Sequence, residues 1–402
     1  MKKNIFMGEF ELNDKSDLKI SIAIMSSFVI LTIQYFILVS FNMLETSYFS
    51  KIQLISKLLV GIFFIYALPD VIRRNKIKFI LVYFFAITIF LVHYLIFPKN
   101  RLYIQELLLP MFFMNIPALI YSLSITNLSV LKKIMIKASY IVFILGTILA
   151  ILDFSGLASV GIYSMPLSYY MLLPAIMFLD RVIDDFSLKT LLFAIFSTVV
   201  ILSIGSRGAI LCILVFVFLK FIRSTTRSSY KGLILRCGIL GIGIIGYIFI
   251  NEILQFLYVF LAKFGIRSRS LLLFLREDIH LGGRTHLYNN IKEKIIDNPI
   301  LGLGLSGDRV VLDGDYVHNF LLEVIANFGL VTGIVILGLL FIFIMKALFI
   351  KNRQKYNIFI IWMSLGAVQL IVSSSYLINI KFWIFFGVLL NILFLNKKTI
   401  IK

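Results

Sequence analysis

The sequence predicts an all-α polytopic membrane protein with about twelve transmembrane helices and one large external loop carrying short helices. Three observations lead there. Hydrophobic residues make up 60% of the 402 residues, against roughly 45–50% in soluble domains, and the mean hydropathy is +1.00. Apolar runs near the roughly 20 residues that a helix needs to cross the hydrocarbon core recur along the chain. The short alternating segments of a membrane β-barrel are missing from the pattern, so helices are the spanning element expected.

The predicted spans are 20–41, 52–72, 77–97, 104–124, 134–153, 162–179, 188–204, 208–222, 233–252, 319–345, 357–376 and 380–395. The first lies about twenty mixed-charge residues from Met1, is longer than a signal-peptide core and is followed by no small-residue cleavage site, so it is expected to be retained. With the N-terminus placed in the cytoplasm, 25 of the 39 basic residues fall on cytoplasmic segments. Lys51, Lys57, Lys99, Arg101, Arg207 and Lys381 are assigned to the short external segments and the second span. Such a bias puts both termini in the cytoplasm. The remaining basic residues, Arg284 and Arg309 among them, sit in the loop 253–318 between spans nine and ten. A loop above about 60 residues escapes the charge rule, so its basic cluster asks for an external anionic partner. The net charge of +19 therefore marks a cytoplasmic face against anionic lipid and implies no nucleic acid. Cys212 and Cys237 lie in or beside apolar runs and suggest packed side chains, with no disulfide framework or metal site.

The chain 1–402 is read as one integral membrane domain whose function concentrates in that external loop. Within it, GGRTHLYNNIKEKIIDNPILGLG (282–304) reads as a glycine turn and then a helix from about Thr285, stopped before Pro299. Leu287, Ile291 and Ile295 repeat every four residues, the mark of an amphipathic helix expected to lie on the membrane surface. Arg284 stands at that helix's N-terminus, where the dipole favours an anion. Free N–H groups plus a guanidinium suit a phosphate; the alternative is a solvated arginine in a turn. GSRGAIL (205–211) repeats the arrangement with Ser206 as N-cap and Arg207 next, and Arg207 either serves function or snorkels to headgroups. LGLGLSG (301–307) lacks the ending of a nucleotide loop and is expected to be a flexible turn.

GDYVHNFLLEVIANFG (314–329) passes from polar loop to apolar helix. His318, at the helix head, is disfavoured as imidazolium by the helix dipole, whereas Asp315 three residues earlier pulls the other way. The sequence leaves that balance open. Asn319, Glu323 and Asn327 share one helix face and must meet protein or a watery cavity, with interhelical hydrogen bonding the expected role of Asn327. Asp308, Asp313 and Asp315 are near enough in sequence to compete with His318 as a base. His93 is expected to be a packed span residue, and His280 and His286 have no comparable setting.

These residues resemble the O-antigen ligase and Wzy-type polysaccharide polymerase superfamily of bacterial envelopes. The resemblance rests on about a dozen spans, a large late external loop, the SRGA motif at 206–209 and the HN pair at 318–319. It extends to the ligase-like pattern met by His318, Asn319, Gly329 and Thr332, and to NPILGLG at 298–304. It implies a metal-independent, cofactor-free GT-C-type glycosyltransferase in the bacterial inner membrane, acting on undecaprenyl-diphosphate-linked glycan donor and acceptor. By the same resemblance, Arg207 and Arg284 bind the donor diphosphate and His318, the catalytic candidate, orients or deprotonates the acceptor hydroxyl; Asp315, Asn319 and Glu323 are candidate supporting residues. Polymerisation of repeat units is the first expectation and ligation of finished polymer to a lipid A core the second. A lipid-linked oligosaccharide flippase is the alternative from another class, disfavoured because no repeated halves are evident. A separate flippase and a chain-length regulator are the protein partners expected beside membrane lipid.

Overall fold

The computed structural model describes residues 2–44, 46–155, 165–204, 206–223, 250–263, 265 and 284–394. Among them there is no strand, and the helices are α1 Lys2–Ser40, α2 Tyr48–Ile96, α3 Arg101–Pro110, α4 Ile116–Ser124, α5 Leu128–Phe154, α6 Met165–Asp184, α7 Leu188–Ile204, α8 Arg207–Arg223, α9 Ile250–Lys263, α10 Arg284–Asp297, α11 Gly307–Val311, α12 Phe320–Leu348, α13 Arg353–Trp362, α14 Val368–Val372 and α15 Ile380–Phe394. Five-residue π-helical segments, Met111–Asn115 and Met363–Ala367, join α3 to α4 and α13 to α14.

Each predicted span falls mainly on helix except 233–252, most of which lies outside the described residues; residues 373–376 of the span 357–376 lie beyond the end of α14. Among the described residues, seven helical stretches are long and apolar enough to cross a membrane, by length and composition. One of them, α2, holds 49 residues and is interrupted at Asn75 (φ −140°, ψ 38°). Unbroken it would run roughly 74 Å, more than twice the hydrocarbon thickness of about 30 Å; the interruption separates the second predicted span from the third. The outward side chains of α2 and α12, such as Ile65, Phe84 and Ile334, are exposed and apolar, as a lipid-facing surface requires.

The chain divides into two compact units. One comprises residues 1–27, 58–134 and 281–402, the other 28–57 and 135–280. In the second, Lys220 on α8 is buried against two carboxylates of α6, Asp180 at 2.6 Å and Asp184 at 3.0 Å, and Cys212 is buried. Cys237 lies outside the described residues.

In the first unit, two polar knots tie segments that the charge pattern assigns to a common side. The buried Asp17 carboxylate accepts from Arg74 Nη1 (2.5 Å), Thr126 N (3.0 Å) and Asn127 N (2.9 Å), capping the approach to α5. At segments assigned to the other side, Asn100 Nδ2 donates to the carbonyls of Leu303 (2.7 Å) and Leu305 (3.0 Å), and His93 Nδ1 accepts from Leu305 N at 2.9 Å. His93 also stacks on Phe97 and meets Phe328 edge-on. The 301–307 turn is thus anchored, a correction to its reading as flexible.

What receives this turn is a break in α12. Gly329 has φ 77° and ψ 173°, a conformation essentially restricted to glycine. The backbone groups that the break frees are met by the loop: Leu303 N donates to Ala326 O (2.6 Å) and Leu330 N to Pro299 O (2.7 Å). Irregular backbone in an apolar helix persists where protein satisfies it. A Cβ on Gly329 would run into the Ile300 carbonyl, and one on Gly302 (φ 68°) into the Gly329 N and Ala326 O. Gly329→Ala is therefore expected to cost about 1–3 kcal/mol through backbone conformation alone, with the overlap adding to it. The thermal midpoint in detergent checks this against Gly338→Ala on the same helix, where a Cβ meets open space and no loss is expected.

The apolar stripe of α10 is not offered to a membrane surface, as its pattern suggested. Ile291 and Ile295 are buried with Leu312, Val317 and Ala326. Protein covers the stripe because the chain after α11 folds back over it, a long-range contact that periodicity does not encode.

Candidate functional site

Those contacts fix the short segment that carries His318. Val317, fully buried, packs on Ile291 and Ile295, and its N–H donates to the Asp308 carboxylate at 3.2 Å. On the other side Asn319 caps α12, its side chain accepting from Leu322 N at 3.1 Å. Between these anchors His318 adopts φ 54°, a left-handed conformation that costs a non-glycine residue about 1–3 kcal/mol. Its ring lies against Tyr316 with centroids 4.0 Å apart, and its Nδ1 is buried without a hydrogen-bond partner. Held on both sides and strained, His318 presents a fixed imidazole.

The electrostatics decide the question that the sequence left open. Burial lowers the His318 pKa, the positive field of Arg284 lowers it further, and Asp315 opposes them; the result is about 4, against an ordinary 6.5. The cationic and desolvation effects win because Asp315 is exposed, so solvent weakens its pull. His318 is therefore neutral at physiological pH, the state that accepts a proton.

Arg284 is the first residue of α10 and one Nη donates to the Val372 carbonyl at the end of α14. That contact sets one side of the guanidinium at a helix C-terminus, where a cation is favoured, and its remaining donors are not taken by a carboxylate among the described residues. The structure thus brings Arg284, Asp315 and His318 together. Arg207 opens α8, but its side chain lies outside the described residues. Glu323 is fully buried and serves the interior: it accepts from the Ser375 hydroxyl and, at 3.2 Å, from Tyr376 N. Asn327 donates to the Tyr376 hydroxyl at 2.9 Å, so its partner lies in the turn between α14 and α15 and not on a helix as expected. Asp313 is exposed. His286 sits on α10 near Asn290, and His280 lies outside the described residues.

Sequence reasoning missed a buried charge network beneath the histidine. Arg309 is 6% exposed and Asp308 not at all; they form an ion pair at 3.5 Å. Arg309 Nη2 donates to Ser375 Oγ at 3.2 Å, which in turn donates to Glu323. The guanidinium also lies 5.7 Å from the Tyr316 ring centroid, giving a chain of contacts from the interior through Tyr316 to His318. Burial raises the Asp308 pKa, and Arg309 opposes that rise. The usable signal was SSSY (373–376), polar residues ending an apolar run on the side assigned to the loop.

A multi-pass membrane protein with a strained, neutral histidine and an arginine on the loop ahead of a broken helix is the class that this geometry defines. Residues 192–337, about a third of the chain, match the family model described as O-antigen ligase. No curated protein and no solved structure matches the chain. The matched stretch includes Arg207, Arg284, His318, Asn319, Glu323 and Gly329, whereas Ser375 and Tyr376 come from beyond it.

Proposed function

We propose that the protein is a membrane glycosyltransferase that polymerises undecaprenyl-diphosphate-linked oligosaccharide repeat units into O-antigen or capsular polysaccharide at the external face of the bacterial inner membrane. The carrying observation is the neutral, half-buried His318 in the field of Arg284, inside the stretch that matches the O-antigen ligase family. In this reading the acceptor sugar's hydroxyl oxygen attacks the anomeric carbon of the donor and its proton passes to His318. The bond from that carbon to the phosphate oxygen breaks, and Arg284 holds the charge of the departing lipid diphosphate, the role that the resemblance also implies for Arg207. No metal is needed, because the arginines supply the electrostatic stabilisation that a cation would otherwise give. A flippase delivering the repeat units and a chain-length regulator are the partners that this activity calls for.

The description of the matching family favours a second reading, ligation of finished polymer to a lipid A core or another acceptor. Reconstitution with a synthetic undecaprenyl-diphosphate repeat unit, without added metal, separates the two. Ladders of lengthening chains are expected for the polymerase; transfer to an added core acceptor without lengthening supports the ligase. Movement of the lipid-linked glycan across the vesicle with no new glycosidic bond would overturn both and restore the flippase.

A further inference from the structure

A membrane-facing groove in the same unit has no role in the chemistry above. It encloses about 480 Å³ between the end of α2 and α3, lined by Phe90, Leu91, Leu108, Phe112 and Phe113 and reaching from Ile87 to Tyr94. Those eight residues of helix correspond to roughly 10 Å of depth. The far wall exists because Pro110 cannot donate a helical hydrogen bond and the chain relaxes into the π-helical segment Met111–Asn115. Tyr83 Oη donates to the Phe112 carbonyl there at 2.8 Å. Such π segments recur at functional positions.

The groove's outer end carries charge. Arg101 is exposed, donates through Nε to the Tyr94 carbonyl at 3.0 Å and lies 5.1 Å from the Tyr94 ring centroid. It has no carboxylate partner among the described residues, and exposed Lys99 adjoins it. These are two of the few basic residues that the charge pattern leaves on the external side. Two contacts join this end to the site. Asn100 binds the carbonyls of Leu303 and Leu305, and Tyr103 Oη lies 3.8 Å from where a Cβ on Gly314 would stand, four residues before His318.

We propose that the groove seats the hydrocarbon tail of the polyprenyl-diphosphate donor, with Arg101 as a further cation for its diphosphate. This rests on the glycosyltransferase reading. Apolar walls at membrane depth take a hydrocarbon chain, and two uncompensated cations at the external end select an anionic head over a zwitterionic one. A lipid held there delivers its head beside the turn that leads to His318.

The test places a photoreactive p-benzoylphenylalanine at position 113 of the full chain in phosphatidylcholine vesicles and adds undecaprenyl diphosphate as probe. The expected result is an adduct with the diphosphate lipid, reduced about tenfold in Arg101→Ala, the loss of one charge-assisted contact, and nearly lost when Leu91→Trp fills the groove. Thermal midpoints near that of the parent show that the variants fold. Adducts with phosphatidylcholine alone, or an undecaprenyl diphosphate adduct indifferent to Arg101→Ala, overturn the inference, as does equal displacement by phosphatidylglycerol. Glycan transfer keeps the two readings apart. If the parent transfers glycan while Arg101→Ala and Leu91→Trp share its KM for donor lipid, the groove falls and the transferase stands. If the adducts behave as expected and no glycan is ever transferred, the transferase reading falls and the groove stands.

Discussion

His318→Ala is expected to lower glycan transfer by about 10²–10⁴-fold, the ordinary contribution of a positioned general base, with the protein still folded in the membrane. The pH dependence carries the sharper information. With the His318 pKa near 4, the proton-accepting form is present above that value and is lost as pH falls through it. The acid limb of the rate profile should then lie near pH 4 rather than 6.5. Arg284→Gln removes a field that depresses this pKa, so its acid limb moves upward while the rate at neutral pH falls. Asp315→Asn removes the opposing field and moves the limb slightly downward. Because one arginine substitution changes both rate and limb, a simple loss of phosphate binding is distinguishable from a change at the histidine. Initial rates on a synthetic lipid-linked repeat unit, measured between about pH 3.5 and 8, check all three variants. Full activity in His318→Ala would remove it from the chemistry.

How much of this was legible in the sequence depends on the range of the interactions. The spans were visible because about twenty apolar residues in a row have one physical outcome in a bilayer. The face shared by Asn319, Glu323 and Asn327 followed from helical spacing, and so did the stripe of Leu287, Ile291 and Ile295. What covers that stripe did not follow, because Val317 and Leu312 arrive by a fold-back of the chain. Gly329 was visible as a motif position, but its hydropathy says nothing of a φ of 77°. The glycines of 301–307 suggested freedom, whereas Gly302 is there because its backbone packs against that of Gly329. The balance at His318 needed burial, which separates exposed Asp315 from the more effective Arg284. Arg309 looked like one more basic loop residue until Ser375, 66 positions away, appeared as its partner.

That partnership carries the largest stability effect expected in the molecule. Arg309→Met should cost about 3–5 kcal/mol, the usual consequence of leaving buried ions unpaired. Two acids share the one guanidinium, Asp308 directly and Glu323 through Ser375, and both are fully buried. The cost should depend on pH with a defined sign. Burial already raises the Asp308 pKa and Arg309 opposes that rise, so removing the cation drives it higher. A carboxyl whose folded pKa exceeds its unfolded value binds more protons when folded, and stability then falls as pH rises between the two. Arg309→Met should therefore be least damaging at mildly acidic pH and most damaging at neutral pH. Pairing it with Asp308→Asn should recover part of the loss, because the uncompensated charge leaves with its partner. Thermal midpoints of the two single variants and the double variant at two pH values form the required cycle. Additive losses with no pH dependence would show that the ion pair is not what holds Arg309 beneath Tyr316. Coupled losses would show that the Asp308 ion pair is what holds Arg309 in the interior of the unit, where it meets Tyr316.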